Sequence, residues 1–375
     1  MDFDELRRSI AGLEKATYLN TGWAGPSPDR VLARMKEAAE EERDAGPASP
    51  AGLALTHRIS GEATAAAARL LHADPQDVTL THGTTEGINI VLHGLAWEPG
   101  DELVTCDLEH PGLEAPTALV EQRGVTVRRV AISPKASAAE ALESIRQALG
   151  PRTKLVALSH IMYTCGLRLP AADVARAAHD AGAMVLFDGA QTAGHVRLHM
   201  AEIDADFYAV SGQKWLLGPA GTGALYVRRD RHGLLTPLLT APGVGHVTGL
   251  DALALTSHSA VLQAGFAEAV RAYEELGPER AEGRIFELAA RLRDGLSALP
   301  GIAITGPEDP TTACGLTAVS ADGWTPADLA DALWERFSIA ARTTVYPAGV
   351  RFSTAAFNNE SDVDRVLETL RELVG

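Results

Sequence analysis

The sequence predicts an α/β protein: a large domain built on a mostly parallel, seven-stranded-type sheet, followed by a smaller α+β domain at the carboxyl end. Three observations carry this expectation. The chain has 375 residues, more than one hydrophobic core ordinarily serves, and enough for a large domain plus a smaller one. Short apolar runs alternate with helix-periodic stretches from Val78 to Val227, as in repeated βα units. Beyond Val227 the pattern changes to long helical stretches with short strands between them.

In chain order, Val78–Leu80 reads as a strand, followed by the turn His82-Gly83-Thr84-Thr85 and a helix with Ile88, Val91 and Leu92 on one face. Glu102–Cys106, Val125–Val130, Leu155–Ser159, Met184–Phe187, Phe207–Val210 and Ala224–Val227 read as further strands. Ala138–Leu149 and Ala171–Ala181 read as two of the helices between them. Arg229–Val247 holds several Gly and Pro residues and reads as a loop. Ser259–Leu276 reads as a connecting helix, and Glu279–Leu299 as another, with Ile285, Leu288 and Leu292 aligned. Helices over Pro326–Phe337 and Ser361–Leu373 complete the smaller domain. The expected division is 16–258 for the large domain, and 1–15 with 259–375 for the small domain and its connecting helix.

A net charge of −16 disfavours nucleic acid and anionic membranes as partners. It leaves room for a phosphate-bearing ligand, because helix N-termini bind phosphate through backbone N–H groups. Cys106, Cys165 and Cys314 are odd in number and far apart, so neither a disulfide framework nor a metal site is expected. The start, MDFDELRRSI, lacks a secretory apolar region, and no apolar run approaches the ~18 residues of a membrane span. A soluble, cytoplasmic protein is expected.

Lysine occurs only at Lys15, Lys36, Lys135, Lys154 and Lys214. Lys214 stands in Ser211-Gly212-Gln213-Lys214-Trp215, just after a strand and before the apolar, Gly-containing Leu216-Leu217-Gly218. Such surroundings lower an amine pKa and suit a lysine that holds an aldehyde cofactor covalently, where a surface lysine would sit in polar sequence. Four further parts serve the same chemistry. Asp188 ends a strand and can face a pyridine nitrogen, although a helix cap there explains the residue as well. Gln191 stands three residues on, in reach of a ring hydroxyl. Gly83, Thr84 and Thr85 lie between a strand and a helix, where phosphate binds, and where simple capping also occurs. His110 follows a strand end and can stack on a ring and move protons. Arg351 is a candidate fork for an amino-acid carboxylate, with Arg342 a second. His160 and His195 fit hydrogen-bonded structural roles and stay outside the catalytic set.

The order of these parts resembles the class V aminotransferase family of fold-type I pyridoxal 5′-phosphate (PLP) enzymes. That group includes cysteine desulfurases, selenocysteine lyases, isopenicillin N epimerase-like proteins and cysteine C–S lyases. The resemblance runs from Tyr18-Leu19-Asn20-Thr21-Gly22 through Thr81-His82-Gly83-Thr84-Thr85-Glu86-Gly87-Ile88-Asn89 and Glu109-His110. It continues through Asp188-Gly189-Ala190-Gln191 and Ser211-Gly212-Gln213-Lys214 to Arg351-Phe352-Ser353 and Phe357-Asn358. It implies that Lys214 carries the cofactor, Asp188 meets the pyridine nitrogen and His110 stacks. It also implies that Gln191 touches the ring hydroxyl, and that Thr84, Thr85, Ser211 and Gln213 surround the phosphate. Thr256 resembles the family threonine that reaches the partner subunit's phosphate, which implies a homodimer with shared active sites. Asn20, Trp23, Tyr163, Arg342 and Arg351 are the candidate contacts for a small amino-acid substrate.

Three departures bear on the reaction. Gln213 replaces the family's usual histidine, and Tyr163 stands where desulfurases place an asparagine. No cysteine lies between Ala321 and Gly375, where desulfurases carry the thiol that takes up sulfur, and Cys314 falls in a predicted strand. The expected activity is therefore a C–S β-lyase acting on a cysteine S-conjugate by Cα-proton removal and β-elimination. The alternatives are an aminotransferase, an epimerase or a decarboxylative oxidative deaminase. A non-catalytic PLP-binding protein and a desulfurase rank below these.

Overall fold

The computed structural model describes residues 1–238, 249–255 and 257–374. Its strands, in chain order, are β1 (Thr17–Tyr18), β2 (Val78–Thr81), β3 (Glu102–Cys106), β4 (Thr126–Val130), β5 (Thr153–Ser159), β6 (Met184–Asp188), β7 (Phe207–Ser211) and β8 (Gly223–Val227). β9 (Ile302–Ile304), β10 (Leu316–Ala321), β11 (Ile339–Ala340), β12 (Arg342–Thr344) and β13 (Gly349–Ser353) follow.

β2 to β8 form one seven-stranded sheet in the order β2-β8-β7-β6-β5-β3-β4. Only β8 runs antiparallel to its neighbours; every other pairing is parallel. Both faces are covered over the central strands, so these are buried almost throughout, and alternate residues enter different cores, whereas the edge strand β4 is largely exposed. In β5, Val156 and Leu158 join one apolar cluster, while Leu155 and Ala157 join the other. Fold-type I architecture is thus realised, with each parallel strand delivering its carboxyl end to one edge. That edge is where open α/β sheets bind ligands.

A second sheet, β12-β13-β10-β9, is wholly antiparallel. Val350 and Phe352 of β13 face its own core with Leu288, Leu292, Leu333 and Val366. By alternation Gly349, Arg351 and Ser353 face the other way. β1 pairs in parallel with β11, and Asn20 bridges to Ser353, so the segment after β1 is laid along the small sheet.

Most strands and helices coincide with the sequence reading to within a residue or two. Cys314 is a correction: β10 starts at Leu316, and Cys314 lies in the preceding turn with its thiol donating to the Gly166 carbonyl at 3.1 Å. Arg229–Leu234, within the expected loop, is a 3-10 helix, and the loop's continuation beyond residue 238 lies outside the described residues. Two long helices, Asp29–Ala45 and Pro50–Leu71, were not assigned from the pattern. Their seam with the helix Ala260–Leu276 is made largely of small residues, Ala38, Ala260 and Ala264 around Ile59, which gives no strong apolar period. Ser49 starts the second of them, accepting from Gly52 N–H at 3.0 Å with Pro50 at the first turn.

Candidate active site

Lys214 sits three residues past Ser211, the last position of β7, on a turn that is held from both sides. Leu217 N–H returns to the Lys214 carbonyl at 3.0 Å, and Leu217 itself takes a left-handed conformation, φ 60°. Gly25 lies so close that a Cβ there would stand 2.2 Å from the Lys214 carbonyl oxygen. The backbone is therefore pinned while the amine has no hydrogen bond or ion pair among the described residues. Burial in the cleft brings that amine down to about 8; Asp188 acts to raise it and Arg351 to lower it. A neutral amine is the form that attacks an aldehyde.

Asp188 ends β6, next to Ser159 at the end of β5 and Ala209 in β7. It is buried, and one oxygen accepts from Ala190 N–H at 2.8 Å. Burial raises its carboxyl pKa, while the Lys214 charge and the Ala190 N–H hold it down. A buried carboxylate with an oxygen to spare is suited to a protonated ring nitrogen.

His110 caps the helix Pro111–Glu121, its Nδ1 accepting from Gly112 N–H at 2.9 Å. That bond leaves Nε2 as the protonated nitrogen of the neutral ring. Burial, with Lys214 and Arg351 nearby, lowers its pKa to about 4, so the ring is neutral at ordinary pH. Tyr163 meets it edge-on, with centroids 4.8 Å apart.

The β2 turn and the β7 turn carry the groups that could hold a phosphate. Gly83 precedes the helix Thr84–Gly94 with φ 149°, a region open to glycine, and supplies no side-chain cap. The first N–H groups of that helix have no intrahelical acceptor. Ser211 Oγ and Gln213 Oε1 are buried without a partner among the described residues. A phosphate would satisfy Ser211 and the helix N-terminus together, and a flipped Gln213 amide would add a donor. Thr84 is buried and Thr85 exposed at the same turn. Thr256 lies outside the described residues.

Gln191 is more constrained than its sequence position suggests. Its Oε1 accepts from Trp215 Nε1 at 2.8 Å and its Nε2 donates to Gly22 O at 2.8 Å. One amide N–H remains for a ring hydroxyl. Trp215 in turn stacks on His195, centroids 3.8 Å apart. His195 is fully satisfied, with Nδ1 on Gln191 O and Nε2 accepting Gly315 N–H, both at 2.8 Å. His160 bonds Tyr208 through Nδ1 at 2.7 Å. Both rings are buried and hydrogen-bonded within the protein.

Arg351 is buried, its Nη1 donating to the Tyr163 carbonyl, while Nε and Nη2 have no partner among the described residues. Ser353 Oγ and Asn20 Oδ1 are likewise buried and unpartnered. Arg342 lies flat on Trp23, its Cζ 3.5 Å from the ring centroid. Lys214, Asp188, His110, Tyr163, Arg351 and Arg342 thus lie near enough to one another to interact through their charges or rings.

Three contributors were not legible from residue type. Gly22 is one: a Cβ there would meet Ser353 Oγ at 3.0 Å and Arg351 Nη2 at 3.1 Å. Gly22→Ala should therefore weaken binding of an amino-acid carboxylate about tenfold, the scale of one charged hydrogen bond. Equilibrium titration measures this, and unchanged affinity would contradict the assigned role of Arg351. Glu109 is the second: buried, it accepts from Ser159 N–H at 2.9 Å and Ser159 Oγ at 2.5 Å, tying the His110 turn to the end of β5. Burial lifts its pKa to about 7, against those two bonds. The Trp215 clamp on Gln191 is the third.

Among the described residues, no cluster of three or more His, Cys, Asp or Glu could hold a metal ion. No described helix is long and apolar enough to cross a membrane.

The family model for class-V aminotransferases matches residues 18–366. A probable cysteine desulfurase of Methanothermobacter thermautotrophicus is 29% identical over 401 residues, covering 100% of this chain and 99% of the relative. An isopenicillin N epimerase of Streptomyces clavuligerus is 30% identical over 399 residues, with the same coverage of 100% and 99%. Among solved structures, the cystine C–S lyase C-DES with its product cysteine persulfide superposes with TM-score 0.89 at 29% identity, over 97% of this chain and 99% of that one.

Proposed function

The chain belongs to the class-V aminotransferase family, whose cofactor is pyridoxal phosphate, and from that premise we propose that it is a C–S β-lyase acting on cysteine S-conjugates. The net reaction takes a conjugate and water to a free thiol, pyruvate and ammonium. Bound PLP would supply the sink for the electrons left at Cα. The chain's own residues do the rest. Arg351 holds the α-carboxylate. Lys214 takes the Cα proton, its amine made available near neutral pH by burial. Asp188 keeps a positive charge on the ring nitrogen. His110 presents a neutral ring, its Nδ1 occupied by Gly112 N–H, that would cover a face of the bound cofactor and exclude water there. Ser211, Gln213, Thr84 and Thr85 anchor the phosphate. A homodimer sharing its active sites belongs to the same proposal.

The observation that carries the choice of elimination is the state of the thiols. A desulfurase needs a thiolate that reaches the substrate sulfur. Here the carboxyl-terminal stretch after Cys314 contains no cysteine. The three cysteines that exist are buried. Burial pushes Cys165 up to about 12 and Cys314 up to about 11, and Cys106 well above the ordinary range. All three would be poor nucleophiles. Elimination needs no enzyme thiol.

Replacing Cys106, Cys165 and Cys314 together by alanine or serine is expected to leave turnover within about threefold, the scale of an ordinary ~1 kcal/mol substitution. Native holoenzyme treated with an alkylating agent should behave likewise, which covers the case of a variant that folds poorly. Loss of turnover in both would overturn the lyase reading. Relatives named as epimerases keep a second reading open. Inversion at Cα without release of thiol would establish it.

A further inference from the structure

The turn that follows β5 is tightly held and almost wholly buried. Met162 N–H donates to the Leu167 carbonyl and Gly166 N–H to the Met162 carbonyl, both at 2.9 Å. Gly166 takes φ 78°, and a Cβ there would lie 2.5 Å from the Leu316 carbonyl oxygen, so β10 packs directly on the turn. From Ile161 to Leu169 every residue is buried except Tyr163 and Arg168. Arg168 is spent on the Thr311 carbonyl, at 2.9 Å. Tyr163 is thus the half-buried side chain that a fixed backbone presents beside His110, with ring centroids 4.8 Å apart.

The surroundings of its phenol suit an acid. No hydrogen bond from another described residue occupies the O–H. Burial raises its pKa, which keeps the proton on oxygen at ordinary pH, while the Arg351 and Arg342 charges favour the phenolate once the proton has gone. Those two guanidinium groups, from β13 and β12, and the neutral His110 ring are the titratable groups around it.

Elimination needs such a group. Lys214 takes the Cα proton, the Cα–H pair becomes the second Cα–Cβ bond, and the Cβ–S pair departs with sulfur. An alkyl thiolate released unprotonated would carry its charge into a largely buried site, which is costly. Asp188 is committed to the ring nitrogen, arginine keeps its proton, and a neutral imidazole is a weaker acid than a phenol. We propose that Tyr163 is the catalytic acid that protonates the departing sulfur. The phenol proton goes to sulfur, a neutral thiol leaves, and the phenolate recovers its proton from water. This role rests on the C–S lyase reading of the same site.

Tyr163→Phe keeps the ring and removes the acid. The test follows thiol release by the holoenzyme from S-benzyl-, S-phenyl- and S-(4-nitrophenyl)-L-cysteine, which are similar in shape and differ widely in the acidity of the departing thiol. The variant should lose about 10²-fold in kcat on the S-benzyl conjugate, the share of a positioned acid. On the S-(4-nitrophenyl) conjugate, whose thiolate leaves unaided, the loss should stay within about threefold, the scale of an ordinary substitution. The native enzyme supplies a check that needs no variant: heavy water should slow it on the S-benzyl conjugate and not on the S-(4-nitrophenyl) one. Equal losses across the series would make Tyr163 a packing residue and overturn the proposal, as would an undiminished rate on S-benzyl-L-cysteine. Absence of thiol from every conjugate with the native enzyme would sink the lyase reading itself, and this role with it.

Discussion

Lys214→Ala is expected to abolish the yellow, borohydride-reducible cofactor adduct and to lower turnover by at least ~10²–10⁴, the share that a positioned proton-transfer group supplies. The reason is local. Lys214 follows β7 at the carboxyl edge of the sheet, its backbone fixed by Gly25 and by the Leu217 turn, its amine unpaired among the described residues. Of the other lysines, Lys135 pairs with Glu308 and Lys154 with Asp101. Cofactor capture by apoprotein should also carry the sign of the lowered amine. The neutral form grows as pH rises through about 8, so capture should accelerate there and not near the ordinary lysine value of ~10.4. Mass spectrometry after borohydride reduction reads the adduct. Its survival in the alanine variant would remove Lys214 from the site.

Asp188→Ala should still bind some cofactor but lose on the order of 10² or more in turnover, as when a preorganised charge partner is removed. Its loss takes away the carboxylate that opposes burial at Lys214, so the pH midpoint of cofactor capture should fall below the native value of about 8. That shift separates an electrostatic role from a merely structural one. Near-native turnover with an unmoved midpoint would exclude the role at the ring nitrogen.

Much of this site was legible because sheet chemistry is local in sequence. β3, β6 and β7 each end within a few residues of His110, Asp188 and Lys214, and a strand followed by a special turn can be read without a structure. Arg351 was legible as a type but not as a geometry. Its register against Arg342 depends on the turn between β12 and β13, and its anchor, the Tyr163 carbonyl, is a backbone atom that no residue type announces. Trp215 reads in sequence as apolar surroundings for Lys214, yet its indole N–H locks Gln191 and its ring seats His195. These contacts join segments far apart in the chain. The helices Asp29–Ala45 and Pro50–Leu71 escaped for another reason: a seam of alanines buries area without producing a large-residue period.

The most direct measurement is product analysis of the native holoenzyme on a panel of cysteine S-conjugates, with the intact protein examined by mass spectrometry in the same samples. The expected result is pyruvate and ammonium in equal amounts, a released thiol or persulfide, and no sulfur added to Cys106, Cys165 or Cys314. An aldehyde or keto acid that keeps the β-sulfur would instead mark a deaminase or transaminase. Alanine as the organic product, with a persulfide on one of those three cysteines, would contradict elimination outright and make the protein a desulfurase.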